Sequence, residues 1–164
     1  MPSEREIISQ AVELIDREFY GVLCTVDEQG APRARYMGAG TFGRGVERVY
    51  TLSTTHARKV SQIEHSPAVC WVFSDRETGD VVTLLGEAKI VAAPSRTGQV
   101  WDRLLRAAKH YSMEMLSRQE EVEYRAIETT VHTLEYLSPS RGIVSPRIIH
   151  LAGSAAGREQ EGGG

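Results

Sequence analysis

Short apolar runs joined mostly by tight turns are the feature that most restricts how this chain of 164 residues can fold. They predict strands at residues 21–26, 33–41, 46–53, 68–73, 80–91 and 131–138. Strands that follow one another so closely favour antiparallel pairing, because a parallel pair needs a long crossover. Gly86 interrupts the longest run, and a glycine there often marks a bulge or a bend at a barrel corner. The sequence therefore predicts a mainly β fold with flanking helices, arranged as a six-stranded antiparallel barrel.

Helical periodicity flanks these strands. Residues 3–18 have apolar side chains at helical spacing, and Ser3 with Glu6 has the spacing of a capping box. Further helices are predicted from Thr54 or Thr55 to about residue 64, from Pro94 and Ser95 onward, and, more weakly, over residues 113–124.

The length fits one domain with a sizeable core. We assign this domain to residues 1–151, and we expect the small, polar, glycine-rich tail at 152–164 to be disordered. There are 19 basic and 22 acidic residues, a net charge of −3. A protein that binds nucleic acid usually has a basic surplus, so no nucleic-acid partner is expected.

The two cysteines and the hydropathy pattern bear on location. No apolar run approaches the ~20 residues that span a bilayer, and the first residues lack the pattern of a signal peptide. Cys24 and Cys70 each lie in an apolar run, which favours buried thiols over a disulfide. These features predict a cytoplasmic protein with no membrane partner.

The start of the second predicted helix is a candidate anion site. Free backbone N–H groups and the helix dipole attract anions there. Ser53, Thr54 and Thr55 add hydroxyl groups, and Arg58 and Lys59 add positive charge within one turn. The alternative is a capped surface helix with two solvated basic residues. The first interpretation predicts a site for a phosphate group.

Two arginines on the second predicted strand could reach the same site. Arg33, Arg35 and Met37 share one face, because side chains alternate along a strand. A guanidinium matches the geometry of phosphate oxygens. We interpret Arg33 as a solvated, outward-facing residue and Arg35 as a phosphate ligand.

Other motifs contribute less. Trp101 is either a core aromatic or a neighbour of a planar ligand, and the five histidines lack metal-ligand spacing. The sequence has no dinucleotide fingerprint, phosphate loop or nucleophile elbow. Any redox chemistry would therefore reside in a bound cofactor.

An ordered series of short motifs resembles the pyridoxamine 5′-phosphate oxidase-like, FMN-binding split-barrel family, in particular its general stress protein branch. The series covers about residues 6–140. It comprises D-x-x-G-x-P at 27–32, R-x-M at 35–37, R-K-V-x-x-I at 58–63, V-T-L-x-G-x-A at 82–88, and then Trp101. The order and spacing together are more specific than any single motif.

The resemblance implies a six-stranded antiparallel split β-barrel and a homodimer with FMN at the subunit interface. In such a protein Arg35, Ser53, Arg58 and Lys59 match the residues that bind the phosphate. Residues near Tyr36, Met37 and Gly38, and around 50–52, match those that contact the flavin ring. A serine of the family pattern is replaced by Ala57, so Thr54 or Thr55 is expected to supply that hydroxyl.

The resemblance implies an FMN-dependent oxidoreductase that acts on an unknown small molecule. The C-terminal R-L-x-P segment of true pyridoxamine phosphate oxidases is not recognisable, which argues against oxidation of vitamin B6. The alternatives are a deazaflavin-dependent reductase, a non-catalytic stress protein that binds flavin or haem, and a dimeric scaffold without a ligand. No catalytic acid or base is identified.

Overall fold

The computed structural model describes residues 1–42, 45–92, 98–116 and 123–152. The helices in these ranges are α1 (Glu4–Glu18), α2 (Arg58–His65) and α3 (Gln99–Leu116). The strands are β1 (Tyr20–Val26), β2 (Pro32–Gly38), β3 (Arg48–Thr54), β4 (Ala68–Ser74), β5 (Val81–Ala92), β6 (Tyr124–Ser138) and β7 (Ile143–His150).

The strands form one antiparallel sheet with the order β2-β1-β4-β5-β6-β3, and β7 pairs with β6. The prediction of a mainly β, antiparallel fold with flanking helices is confirmed, although the sheet has seven strands where six were predicted. The sheet is not closed: between the regions of β2 and β3 at its two ends, the described residues show one isolated bridge, Gly40 with Tyr50.

Gly86 produces the bend that the sequence predicted. The register of β5 against β6 shifts between Leu85 and Gly86. A Cβ atom at position 86 would overlap the carbonyl oxygen of Thr130 and lie 3.1 Å from the Cα atom of Val131. The two backbones can approach this closely because residue 86 has no side chain.

The main core lies between α1 and the sheet. The helix begins with the predicted capping box, in which the Ser3 hydroxyl accepts from the Glu6 N–H and the Glu6 carboxylate accepts from the Ser3 N–H. Trp71 is fully buried, stacks on Phe73 and donates its indole N–H to the Thr129 hydroxyl at 3.1 Å. Trp71 is therefore a core residue. A second cluster packs α3 on the sheet and consists of Phe19, Leu52, Trp101, Leu104, Ala107 and Ala126.

Two elements differ from the sequence prediction. The helix predicted at 113–124 is not a separate element where the structure describes it: residues 113–116 belong to α3, which continues to Leu116, and Tyr124 pairs with Thr54 in the sheet. Residues 117–122 lie outside the described residues. The first half of β6 was not predicted as a strand because it contains several polar residues. One of them, Glu128, forms ion pairs with Arg48 and Lys89.

The seventh strand, β7, was not predicted. It contains Pro146, which is unusual within a sheet because proline lacks an N–H donor. In the described structure β7 pairs with β6 alone, so one side of its backbone needs no partner strand. The predicted tail lies outside the described residues, except for Ala152.

No helix among the described residues is long and apolar enough to cross a membrane.

Candidate cofactor site

The two arginines of β2 lie on the same face of the strand but differ in their environment. Arg33 is exposed and forms an ion pair with Asp27 at 2.9 Å, so it is an outward-facing residue as interpreted from the sequence. Tyr36 also points outward, with 65% of its surface exposed. Arg35 is half-buried and Met37 is buried.

Arg35 is held in a polar network between strands and helix. Its guanidinium donates to the carbonyl oxygen of Leu23 at 3.1 Å, to the Thr25 hydroxyl at 2.8 Å and to the Gln62 amide oxygen at 3.0 Å. Thr25 also donates to Gln62 at 2.7 Å. The sequence analysis missed Thr25 and Gln62, because they come close only when β1 and α2 pack together. These contacts fix the cation in one position.

The end of β3 and the start of α2 meet at Lys59. Helix α2 begins at Arg58, and its N-cap is Ala57, which has no side-chain capping bond. The prediction of a cap at Thr54 or Thr55 is wrong, since the Thr55 hydroxyl donates instead to the carbonyl oxygen of Glu123 at 3.1 Å. Lys59 folds back and donates to the Ser53 hydroxyl at 3.3 Å.

Burial and a neighbouring positive charge lower the pKa of two of the three cations. Burial, together with the neighbouring Arg35, lowers the pKa of the Lys59 ammonium. Burial also lowers the pKa of the Arg35 guanidinium, and Arg58 contributes to this decrease. Across the described ranges, none of the three forms an ion pair with a carboxylate. The site therefore has positive charge that the described protein groups do not neutralise.

A cavity of about 230 Å³ opens beside Lys59. The wall from β3 and the start of α2 is largely polar and consists of Thr51, Ser53, Thr54, His56, Ala57 and Lys59. The remaining wall is apolar or backbone and consists of Met37, Gly38, Leu52, Leu104, Ala107 and Ala108. Such a cavity suits a ligand with an anionic group at one end and a flat apolar body at the other.

The structure places some of the predicted site residues at the cavity. Met37, Ser53, Thr54 and Lys59 line it. Arg35, Tyr36, Thr55, Arg58 and Trp101 do not, and Trp101 is buried 6.2 Å from Phe42 between ring centroids. The α3 residues of the wall were missed as ligand contacts. The apolar stripe of that helix was visible in the sequence, but which cavity it would face was not.

The family is decided by a match over most of the chain. The family model of pyridoxamine 5′-phosphate oxidase matches residues 7–138. The chain belongs to this family. No curated protein matches the chain.

Solved structures share the fold of this family member at low sequence identity. A Clostridium acetobutylicum protein related to general stress protein 26 has a TM-score of 0.64 at 14% identity, covering 91% of this chain and 97% of that chain. A pyridoxamine 5′-phosphate oxidase-related, FMN-binding protein from Nostoc punctiforme has a TM-score of 0.65 at 12% identity, covering 93% of both chains.

Two further structures with this fold have other ligands in their names. A haem-binding protein from Mycobacterium smegmatis has a TM-score of 0.56 at 16% identity, covering 92% of this chain and 58% of that chain. An F420 reductase has a TM-score of 0.54 at 19% identity, covering 82% of this chain and 98% of that chain. The shared fold therefore accompanies more than one cofactor.

Proposed function

We propose that this member of the family is a flavoprotein that binds FMN and transfers electrons to or from a small molecule. The observation that carries the proposal is Lys59. This half-buried ammonium lies at a cavity wall, and its one hydrogen-bond partner in the described part of the chain is the Ser53 hydroxyl. A partly buried charge without a counter-charge is costly, so an anionic ligand is expected to neutralise it.

The donor set fits the phosphate of FMN. A phosphate monoester carries nearly two negative charges at pH 7 and offers three acceptor oxygens. Lys59, the Ser53 hydroxyl and the N–H groups at the start of α2 would hold it, while Arg35 and Arg58 add positive charge nearby. Met37, Leu52 and Leu104 with their neighbours offer apolar surface for the flavin ring.

The protein's own residues would bind and orient the cofactor and exclude water from it. Bound FMN would supply the redox chemistry, since it accepts and donates electrons. Access to the flavin ring would therefore determine which small molecules can serve as substrate and as electron donor. Free thiols at Cys24 and Cys70 fit a cytoplasmic location for such a protein.

The size of the cavity supports a homodimer with FMN between the subunits. Ordinary small-molecule sites have volumes of about 300–1,000 Å³. The cavity in one chain is smaller, about 230 Å³, and so would enclose only part of FMN. A second copy packed over the open side of the cavity would complete the enclosure and exclude water from the ring.

A deazaflavin is the second candidate cofactor. An F420 reductase shares the fold, and the same cation cluster suits any phosphorylated flavin analogue. Haem is a third candidate because a haem-binding protein also shares the fold.

The identity of the cofactor is testable on the freshly purified protein. We expect a visible absorption spectrum of oxidised flavin, and we expect heat to release a molecule with the mass of FMN. A deazaflavin or haem mass would replace the proposed cofactor. A colourless protein that also fails to bind added FMN would overturn the proposal, and size-exclusion chromatography with light scattering tests the dimer separately.

We expect FMN binding to weaken as the pH rises toward the alkaline range. The pKa of free Lys59 is below its ordinary value of 10.5, so this residue loses its charge at a lower pH than an exposed lysine. The lost charge no longer attracts the phosphate, which stays dianionic throughout this range. Fluorescence titrations with FMN from pH 7 to pH 10 measure the effect. The control variant Lys59→Arg keeps its charge and should give a flatter profile; equal slopes would contradict the role of Lys59.

The same shift has a consequence for the free protein, with the opposite sign. Folding disfavours the charged form of Lys59, because its pKa is lower in the folded state than in the unfolded chain. The resulting cost is fully present below the folded-state pKa. It disappears as the pH rises through that pKa toward 10.5.

A further inference from the structure

Cys24 and Cys70 lie directly opposite each other on the neighbouring antiparallel strands β1 and β4. The pairs Val22 with Val72 and Leu23 with Trp71 adjoin them and fix the register. Opposite residues of an antiparallel pair point to the same face, and their Cα atoms are about 4.5 or 5.5 Å apart. Both separations fall within the range of about 4.4–6.8 Å that a disulfide spans.

From this placement, we infer that Cys24 and Cys70 form a reversible dithiol–disulfide pair that a hydroperoxide oxidises. Both thiols are half-buried, so neither is sealed in the core. A metal site is not favoured, since the described residues include no group of three histidine, cysteine or acidic side chains that could hold an ion.

The surroundings assign different roles to the two thiols. Burial, and secondarily Cys24 and Glu135, raise the pKa of Cys70 to about 11. Cys24 is therefore the attacking thiol and Cys70 the resolving thiol.

The reaction balances in two steps. The Cys24 thiolate attacks one oxygen of the hydroperoxide, the O–O bond breaks, and Cys24 becomes a sulfenic acid while an alcohol or water is released. The Cys70 sulfur then attacks the Cys24 sulfur, an S–S bond forms, the S–O bond breaks, and the oxygen leaves as water with the Cys70 proton. Two thiols lose two electrons in total, and the hydroperoxide gains them.

Peptide mapping of the full-length protein after treatment with hydrogen peroxide tests the inference. We expect one intrachain Cys24–Cys70 peptide that is two hydrogens lighter than the reduced pair and is restored by a thiol reductant. The rate of S–S formation should rise with pH in the alkaline range, because burial raises the pKa of Cys70 and its thiolate becomes more abundant as the pH rises. Absence of this peptide, or a disulfide between two chains on a non-reducing gel, would overturn the inference.

Single variants test the order of the steps. In Cys70→Ser the sulfenic acid at Cys24 has no resolving thiol, so a sulfenic-acid probe should label it strongly. In Cys24→Ser, Cys70 should stay nearly unlabelled. Stronger labelling of Cys70 would reverse the assigned roles. The wild-type mapping does not depend on either variant folding, and it is independent of whether FMN binds.

Discussion

The double variant Arg58→Ala, Lys59→Ala is expected to lose FMN affinity by about 10–10²-fold through the lost bond from Lys59, and further through the lost charge of Arg58. Each charge-assisted bond to phosphate contributes about 1.5–3 kcal/mol, and 1.4 kcal/mol corresponds to a factor of ten in affinity. Lys59 lines the cavity, and Arg58 begins the helix whose N–H groups face the same end. Fluorescence titration of the ligand-free protein with FMN measures the loss.

The thermal midpoint of the ligand-free variant separates a ligand site from a structural role. Lys59 has no described carboxylate partner, and Arg35 is a nearby like charge. Removing Arg58 and Lys59 should therefore leave the midpoint unchanged or raise it. Arg33→Ala is a matched control, because Arg33 is paired with Asp27 and should affect FMN affinity little. Unchanged FMN affinity in the double variant would disprove the proposed phosphate site.

Gly86→Ala is expected to destabilise the fold by about 2–3 kcal/mol, near the upper end of typical overpacking costs. The added Cβ atom would meet backbone atoms of Thr130 and Val131, which cannot rotate away as a side chain can. The free energy of unfolding from urea denaturation measures the effect.

Gly30→Ala is the control for the Gly86 prediction. Gly30 has a φ of 80° with no atom within 4 Å of an added Cβ, so its cost arises from backbone conformation alone. That cost is about 1–2 kcal/mol. If Gly86→Ala costs no more than Gly30→Ala, the close approach of β5 and β6 does not limit the residue at 86.

Local interactions explain which elements could be predicted from the sequence. The capping box of α1 joins Ser3 to Glu6, and the turn before β2 uses the Asp27 carboxylate to accept N–H groups of Gln29 and Ala31. Both depend on residues within four positions of each other. Alternation of apolar and polar residues was sufficient to predict strands whose two faces differ clearly in polarity. It was not sufficient to predict the first half of β6.

The site was only partly predictable, because its contacts join distant segments. The sequence indicated that Arg35 and Lys59 belong together, and the structure brings them close enough for Arg35 to lower the pKa of Lys59. It gave no indication that Gln62 would hold Arg35, or that Thr55 would be bound to Glu123. These contacts depend on how α2 and β6 pack, and a local sequence pattern does not predict that packing.

The open seam of the sheet affects how the cavity can be entered. The cavity walls from β2 and β3 face each other across the gap between these two strands, where the sheet is not continuous. The described links across this seam include the Gly40–Tyr50 bridge and a hydrogen bond from the Thr51 hydroxyl to the Gly38 carbonyl. Opening there breaks few hydrogen bonds, whereas opening between β5 and β6 would break a long ladder. Amide hydrogens of Gly40 and Tyr50 should therefore exchange faster than those of central β5, and a ligand bridging the two edges should slow them.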